Sequence, residues 1–184
     1  LGARPIQVTP ASHTMITSDK EARTRARERD AQVGLPARRA AVELLSAVLQ
    51  NKQPLDDILG RSLDKGAMFN LTARDRALTR AIVATSLRRK GQLDLVLGAF
   101  LERGLPERSG TLYPILLSAA AQLVFLKTPP HAAIDLAVTL AQYDPKAKRY
   151  DKLVNAVLRK VASEGEGIAS SLDAARVNTP DWLW

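Results

Sequence analysis

An all-α fold is predicted, and three features of the 184-residue sequence carry the prediction. Apolar residues recur at relative positions 0, 3, 4, 7 and 8 in segment after segment, the period of a helix with one buried face. The strict alternation of a half-buried strand does not develop in any segment. Aromatic residues make up only 4% of a chain that is 46% hydrophobic. Ala and Leu therefore supply most of the apolar mass, which suits packed helices better than sheets.

The elements follow in order. Residues 1–33 offer no apolar face. Leu1–Thr14 reads in part as an expression scar ahead of Met15. The run from Lys20 to Asp30 is polar all round, so this segment is expected to be a disordered basic arm. Such an arm either orders on a nucleic acid or only aids solubility. From Pro36, a good first-turn residue, Ala41, Leu44, Leu45, Val48 and Leu49 form a first amphipathic stripe. Leu55, Ile58, Leu59 and Leu63 form a short second one, ended by Gly66. Thr72-Ala73-Arg74-Asp75 resembles a capping box opening a helix to about Arg89, with Leu78, Ile82 and Thr85 inward and Gly91 as the interruption.

Leu93, Val96, Leu97, Phe100 and Leu101 repeat the stripe as far as Gly104. After Pro106, the segment holding Leu112, Ile115, Leu116, Ala119, Ala120 and Leu123 is apolar on nearly every side, which predicts the central helix. Pro129-Pro130 starts the next, with Ala133, Ile134, Ala137, Val138 and Ala141 inward. Asp144-Pro145 is a loop, and Leu153, Val154, Val157, Leu158 and Val161 mark the last strong helix. Glu164-Gly165-Glu166-Gly167 reads as a linker, followed by a weaker helix around Leu172–Val177. The expected architecture is a bundle of about six to seven helices.

Charge points to a polyanionic partner. The net charge is +8, but it is segregated: residues 1–39 carry +4, residues 74–90 carry +5 and residues 146–160 carry +5, leaving −6 for everything else. Ordinary solvated helix faces are the alternative explanation. The absence of cysteine excludes disulfides, thiolate metal sites and cysteine nucleophiles within this sequence. His13 and His131 are the only histidines, too few for a histidine zinc site. No apolar run approaches the ~20 residues of a membrane span, and no secretory signal opens the sequence, so a cytoplasmic protein is expected.

Four stretches in order resemble the NusB family: Arg38-Arg39-Ala40-Ala41-Val42-Glu43-Leu44-Leu45; Asp75-Arg76-Ala77-Leu78 with Ile82-Val83 and Leu87-Arg88; Pro130-His131-Ala132-Ala133-Ile134-Asp135-Leu136-Ala137-Val138; and Leu153-Val154-Asn155-Ala156-Val157-Leu158-Arg159. The wording of the last two, and Asn178-Thr179-Pro180-Asp181-Trp182-Leu183, is similar to the family's methyltransferase branch, which modifies carbon 5 of a cytosine in small-subunit ribosomal RNA. The resemblance implies a NusB-like helical RNA-binding domain over 34–163. It implies a linker over 164–184 leading to a methyltransferase domain absent from this sequence. In that branch a cysteine thiolate attacks the base. With no cysteine and no Gly-rich nucleoside-binding turn here, no catalysis and no cofactor are expected of this chain, and S-adenosylmethionine is expected in the missing domain. The implied partners are ribosomal RNA and the chain's own methyltransferase domain. A free-standing antitermination factor or scaffold that meets a ribosomal protein is the alternative. The interhelical segments do not suggest the short turn of a DNA-reading helix pair.

The candidate RNA-binding residues are the segregated cations. Arg38 and Arg39 match the arginine-rich opening of NusB-type domains, and at least one of them must face solvent. Arg74, Arg76, Arg80, Arg88, Arg89 and Lys90 share one helix. Arg76 either meets RNA or pairs with an acid inside the fold, and Arg88–Lys90 also suit a helix C-terminus. Lys146, Lys148, Arg149 and Lys152 lie in or just after a loop, with Arg159 and Lys160 on the last strong helix. Phosphate contact and simple solubility compete for these six. Asn155 is expected to be a buried amide tied to a neighbouring backbone, and His131 to cap or pack. Trp182 and Trp184 are expected to dock the linker against the missing domain.

Overall fold

The computed structural model describes residues 34–180 and Leu183, and in that part of the chain it contains eight α-helices, one 3-10 turn and no strand. The expected arm at 1–33 and the tryptophans at 182 and 184 lie outside the described residues. α1 (34–49), α2 (Leu55–Lys65) and α3 (Ala73–Arg88) enclose a first cluster built from Ala41, Leu44, Leu45, Ile58, Met68, Ile82 and Val83. Thr72 caps α3 as its spacing to Asp75 predicts. Its hydroxyl accepts from the Asp75 N–H at 3.1 Å and donates to the Asp75 carboxylate at 2.8 Å. The buried face of α3 is Thr79, Ile82, Val83 and Ser86, one step round from the expected 78/82/85 stripe, with Leu78 and Thr85 only half-buried. Thr79 sits against α1 on that face, its hydroxyl within hydrogen-bond reach of the Ala37 carbonyl at 3.0 Å and of the Asp75 carbonyl of its own helix at 2.8 Å.

The second cluster is larger. α4 (Lys90–Gly98), α6 (Pro130–Tyr143) and α7 (Asp151–Ser171) pack around α5 (Leu112–Val124), with the short α8 (Ala174–Asn178) on α4. α5 is the central helix its composition predicts, since only Tyr113 and Leu123 escape full burial. Pro114 falls in its first turn, where no intrahelical N–H bond is lost. Val42 of α1 joins this second cluster, so α1 bridges the two.

Two glycines read as breaks are packing residues. Gly91 lies inside α4, and the actual break is at Arg89 (φ −108°, ψ 18°). A Cβ at 91 would stand 1.7 Å from the Val177 carbonyl oxygen, so only glycine lets α8 approach. The expected linker Glu164–Gly167 is likewise continuous helix. Gly165 is buried in α7, and a Cβ there would press on Val161, Val124 and Val96 at 3.0–3.3 Å. Residues 164–178 therefore belong to the bundle rather than to a connector.

Replacing an unconstrained helix glycine with alanine stabilises by about 0.5–1 kcal/mol, whereas overpacking costs about 1–3 kcal/mol. Gly60 in α2 has no atom within 4 Å of an added Cβ. Chemical denaturation is thus expected to show Gly60→Ala stabilised and Gly91→Ala destabilised; a stabilised Gly91→Ala chain would refute the close approach of α8.

Candidate nucleic-acid interface

The structure sorts the candidate cations by role. Arg38 is 7% exposed and cannot meet a ligand. Its guanidinium donates to the Gly34 carbonyl at 3.1 Å and leaves Nε buried without a partner. Desolvation lowers its pKa, only partly offset by the Asp75 charge. The expectation that Arg38 binds RNA is corrected accordingly: of the Arg38–Arg39 pair, Arg39 alone faces solvent, where it pairs with Glu43 at 3.3 Å. Such an exposed pair is weak and is readily exchanged for a phosphate. Arg76 does not make the expected internal pair with an acid. Its Nε and NH2 donate to the Met68 and Phe69 carbonyls at 3.1 and 2.7 Å, bracing the turn between α2 and α3.

α3 presents its remaining arginines outward. Arg74, Ala77, Arg80, Ala81 and Arg88 are exposed at spacings of three, four and seven residues, which is one helical face. From Arg74 to Arg88 this face runs ~21 Å at the helix rise. Asp75, the acid of α3, is half-buried and bonded to Thr72. Arg74, Arg80 and Arg88 have no ion-pair partner among the described residues. At the end of the helix Arg89 stacks over Phe125, 5.3 Å from the ring centre. Lys90 turns away. It pairs with Asp94 at 2.6 Å and lies over Tyr113. Burial works to lower the Lys90 pKa, but hydrogen bonds to Asp94 and Tyr113 raise it on balance.

The second group is at another place. Asp144 builds its loop, accepting from the Thr111 N–H and hydroxyl at 2.8 and 2.6 Å and from the Lys146 and Ala147 N–H groups at 2.7 and 3.2 Å. Desolvation opposes the charge, yet these bonds hold the Asp144 carboxyl below its ordinary pKa. Gly110 (φ +61°) completes the junction, since a side chain there would strike the Asp144 carboxylate. Lys146, Lys148, Arg149 and Lys152 thus stand exposed at the N-terminal end of α5, while Arg89 stands at its C-terminal end, ~20 Å away along the helix. Arg159 follows Lys152 by two turns on the same face of α7, and Lys160 lies over Phe100 at 5.9 Å. The cations form an α3 face and a separate loop–α7 group, with α5 packed between α3 and α7.

Two further expectations resolve differently. His131 is exposed in the first turn of α6, and that helix has no side-chain cap. Asn155 is half-buried and makes no side-chain hydrogen bond among the described residues. The buried amide that ties helices together is Gln92, 4% exposed, which donates to the Ala169 carbonyl at 2.9 Å and pairs with Asn178. Its only sequence signal is a polar residue beside Leu93 on an inward-facing turn. Among the described residues no group of His, Asp or Glu is arranged to hold a metal.

A family model described as the NusB family matches residues 35–163. The chain is 35% identical over 153 residues to the ribosomal RNA small subunit methyltransferase B of Xanthomonas campestris pv. campestris, covering 83% of this chain and 33% of that protein. It is 33% identical over 150 residues to the protein of that name from Pseudomonas putida (79% and 33% covered), and 34% identical over 131 residues to that of Vibrio cholerae (68% and 30%). The chain spans about a third of the length of these curated relatives.

The Lys90–Asp94–Tyr113 cluster yields a direct measurement. Burial, aided by the hydrogen bond to Asp94, pushes the Tyr113 hydroxyl from 10.0 up to about 12. A raised folded-state pKa favours the protonated form, so this contribution to stability is complete below pH 10.0 and is lost as the pH climbs toward about 12. Ultraviolet titration of tyrosinate is expected to show a late component that Tyr113→Phe removes. Its survival in that variant would show the cluster is not formed.

Proposed function

The chain belongs to the NusB family, and we propose that it is the RNA-binding part of a larger methyltransferase, gripping folded small-subunit ribosomal RNA for a tethered catalytic domain. One observation carries this reading: the outward face of α3 aligns Arg74, Arg80 and Arg88 over ~21 Å with no acid upon it. Guanidinium groups in a row suit a phosphate backbone, and they also stack on the unpaired bases of folded RNA. The relatives' names supply the substrate class, ribosomal RNA of the small subunit, and the reaction class, methyl transfer.

In this reading the catalytic thiolate and S-adenosylmethionine belong to the tethered domain, because this sequence holds no cysteine. The methyl acceptor is carbon 5 of a cytosine. The chain's own task is attachment: tethering raises the local concentration of the target without base-by-base readout. The working place is the cytoplasm, where ribosomal RNA is processed, and no described helix is long and apolar enough to cross a membrane.

A protein-docking role is favoured by a different observation. Leu105 is 39% exposed and lines a hollow of about 340 Å³ together with Leu97, Leu101 and Tyr113. Its partner would be the catalytic domain itself or a ribosomal protein.

Salt separates the two. If about six phosphates are neutralised, the logarithm of the association constant falls against that of salt with a slope near −4 to −5. Anisotropy titration of the chain against small-subunit ribosomal RNA at rising salt measures it, and a flat response would sink the RNA-binding reading and leave the docking role.

A further inference from the structure

One side chain holds both the end of the α3 face and the last helix. Gln92 Oε1 accepts from Arg89 at 3.2 Å and from the Asn178 side-chain amide at 2.9 Å. The Gln92 backbone N–H donates in return to Asn178 Oδ1 at 3.1 Å, closing a reciprocal pair. With Gly91 admitting the Val177 carbonyl, α8 is seated on the first turn of α4, at the corner where α3 ends. Asp94 of α4 is paired with Lys90, and Asp173 accepts from the N–H groups of Ala175 and Arg176 at the start of α8. Arg88 stays exposed at that corner, and Arg89 lies over Phe125. The Lys146–Lys152 group has no such neighbour, being at the far end of α5.

We propose that RNA lies along α3 and over the α3–α4 corner at Arg88 and Arg89, and that Asn178 is a positioning residue that keeps Thr179 and Pro180, the residues that follow α8, beside the bound RNA. The inference rests on the RNA-binding reading and adds to it a surface and a direction. It makes Arg88 a contact and the Lys146–Lys152 loop a bystander. Because the sequence has no cysteine, a single one introduced at exposed Pro180 or exposed Pro145 takes a tethered hydroxyl-radical probe at one place.

The chain is tested with deproteinised small-subunit ribosomal RNA. Arg88→Glu is expected to weaken binding severalfold and to reduce the salt slope by about 1, while Lys146→Glu with Lys148→Glu leaves both unchanged. The probe at Pro180→Cys is expected to cut the RNA at a few nucleotides, more strongly than the probe at Pro145→Cys. Adding Asn178→Ala is expected to spread those cuts over many nucleotides without changing affinity, a readout that loss of fold alone would not give. Stronger cutting from position 145, or loss of binding only in the lysine variant, overturns the proposed surface while sparing the RNA-binding reading. Cuts that remain focused in the Asn178→Ala chain overturn the positioning role. Failure of the unaltered chain to bind RNA removes both the reading and the inference.

Discussion

A helix buried on almost all sides has no solvent face of its own, so it exists only if other helices wrap it. α5 imposes that constraint on everything around it. Its apolar sides are covered by α3, α4, α6 and α7, and each of those must turn its own stripe inward and leave its polar side out. The cations are on the outside of this wrapping because desolvating an unpaired guanidinium or ammonium is costly. They are also divided by it: α3 and α7 pack on α5 rather than forming one surface, so the two positive groups of the sequence do not merge. A basic protein with a single central helix thus acquires separate positive faces.

Within each face, neighbours decide which cations stay available. Arg38 and Arg76 are enlisted by backbone carbonyls, and Lys90 by Asp94 and Tyr113. Arg74, Arg80 and Arg88 share the one side of α3 that nothing covers. The long basic segment 74–90 is therefore two things at once, an internal brace and an outward row, and net charge alone does not distinguish them.

Sequence patterning revealed the helices wherever burial follows a single period. The stripes of α1, α5 and α7, the Thr72 cap and the Pro130 start all correspond to observed features, because each is governed by neighbours within one or two turns. The failures have a common cause: they depend on what arrives from far along the chain. Gly165 looked like a connector because its reason, three valines from α4, α5 and α7 meeting at one point, is a tertiary fact. The sequence placed at least one of Arg38 and Arg39 in solvent but could not say which, because the burial of Arg38 beside Gly34 and the Asp75 charge is set by the packing of α1. Asn155 and Gln92 are both amides beside apolar neighbours in the sequence, and among the described residues only Gln92 meets distant partners, 77 and 86 residues away. The basic character of segment 74–90 was legible as charge, but not which of its arginines share the outward side of α3, since Arg76 is turned onto the Met68 and Phe69 carbonyls. Nor was the division of that side from the loop group legible.

The seating of α8 has a thermodynamic corollary. None of its residues is fully buried, and it is joined to α4 by amide hydrogen bonds and a carbonyl laid against a glycine. Such bonds are sharp in direction but contribute little net free energy, since water competes for both partners. The apolar interior does not need α8 in order to stay closed. The last helix is accordingly expected to be among the first parts of the described bundle to open, since local openings need less than the global free energy of unfolding.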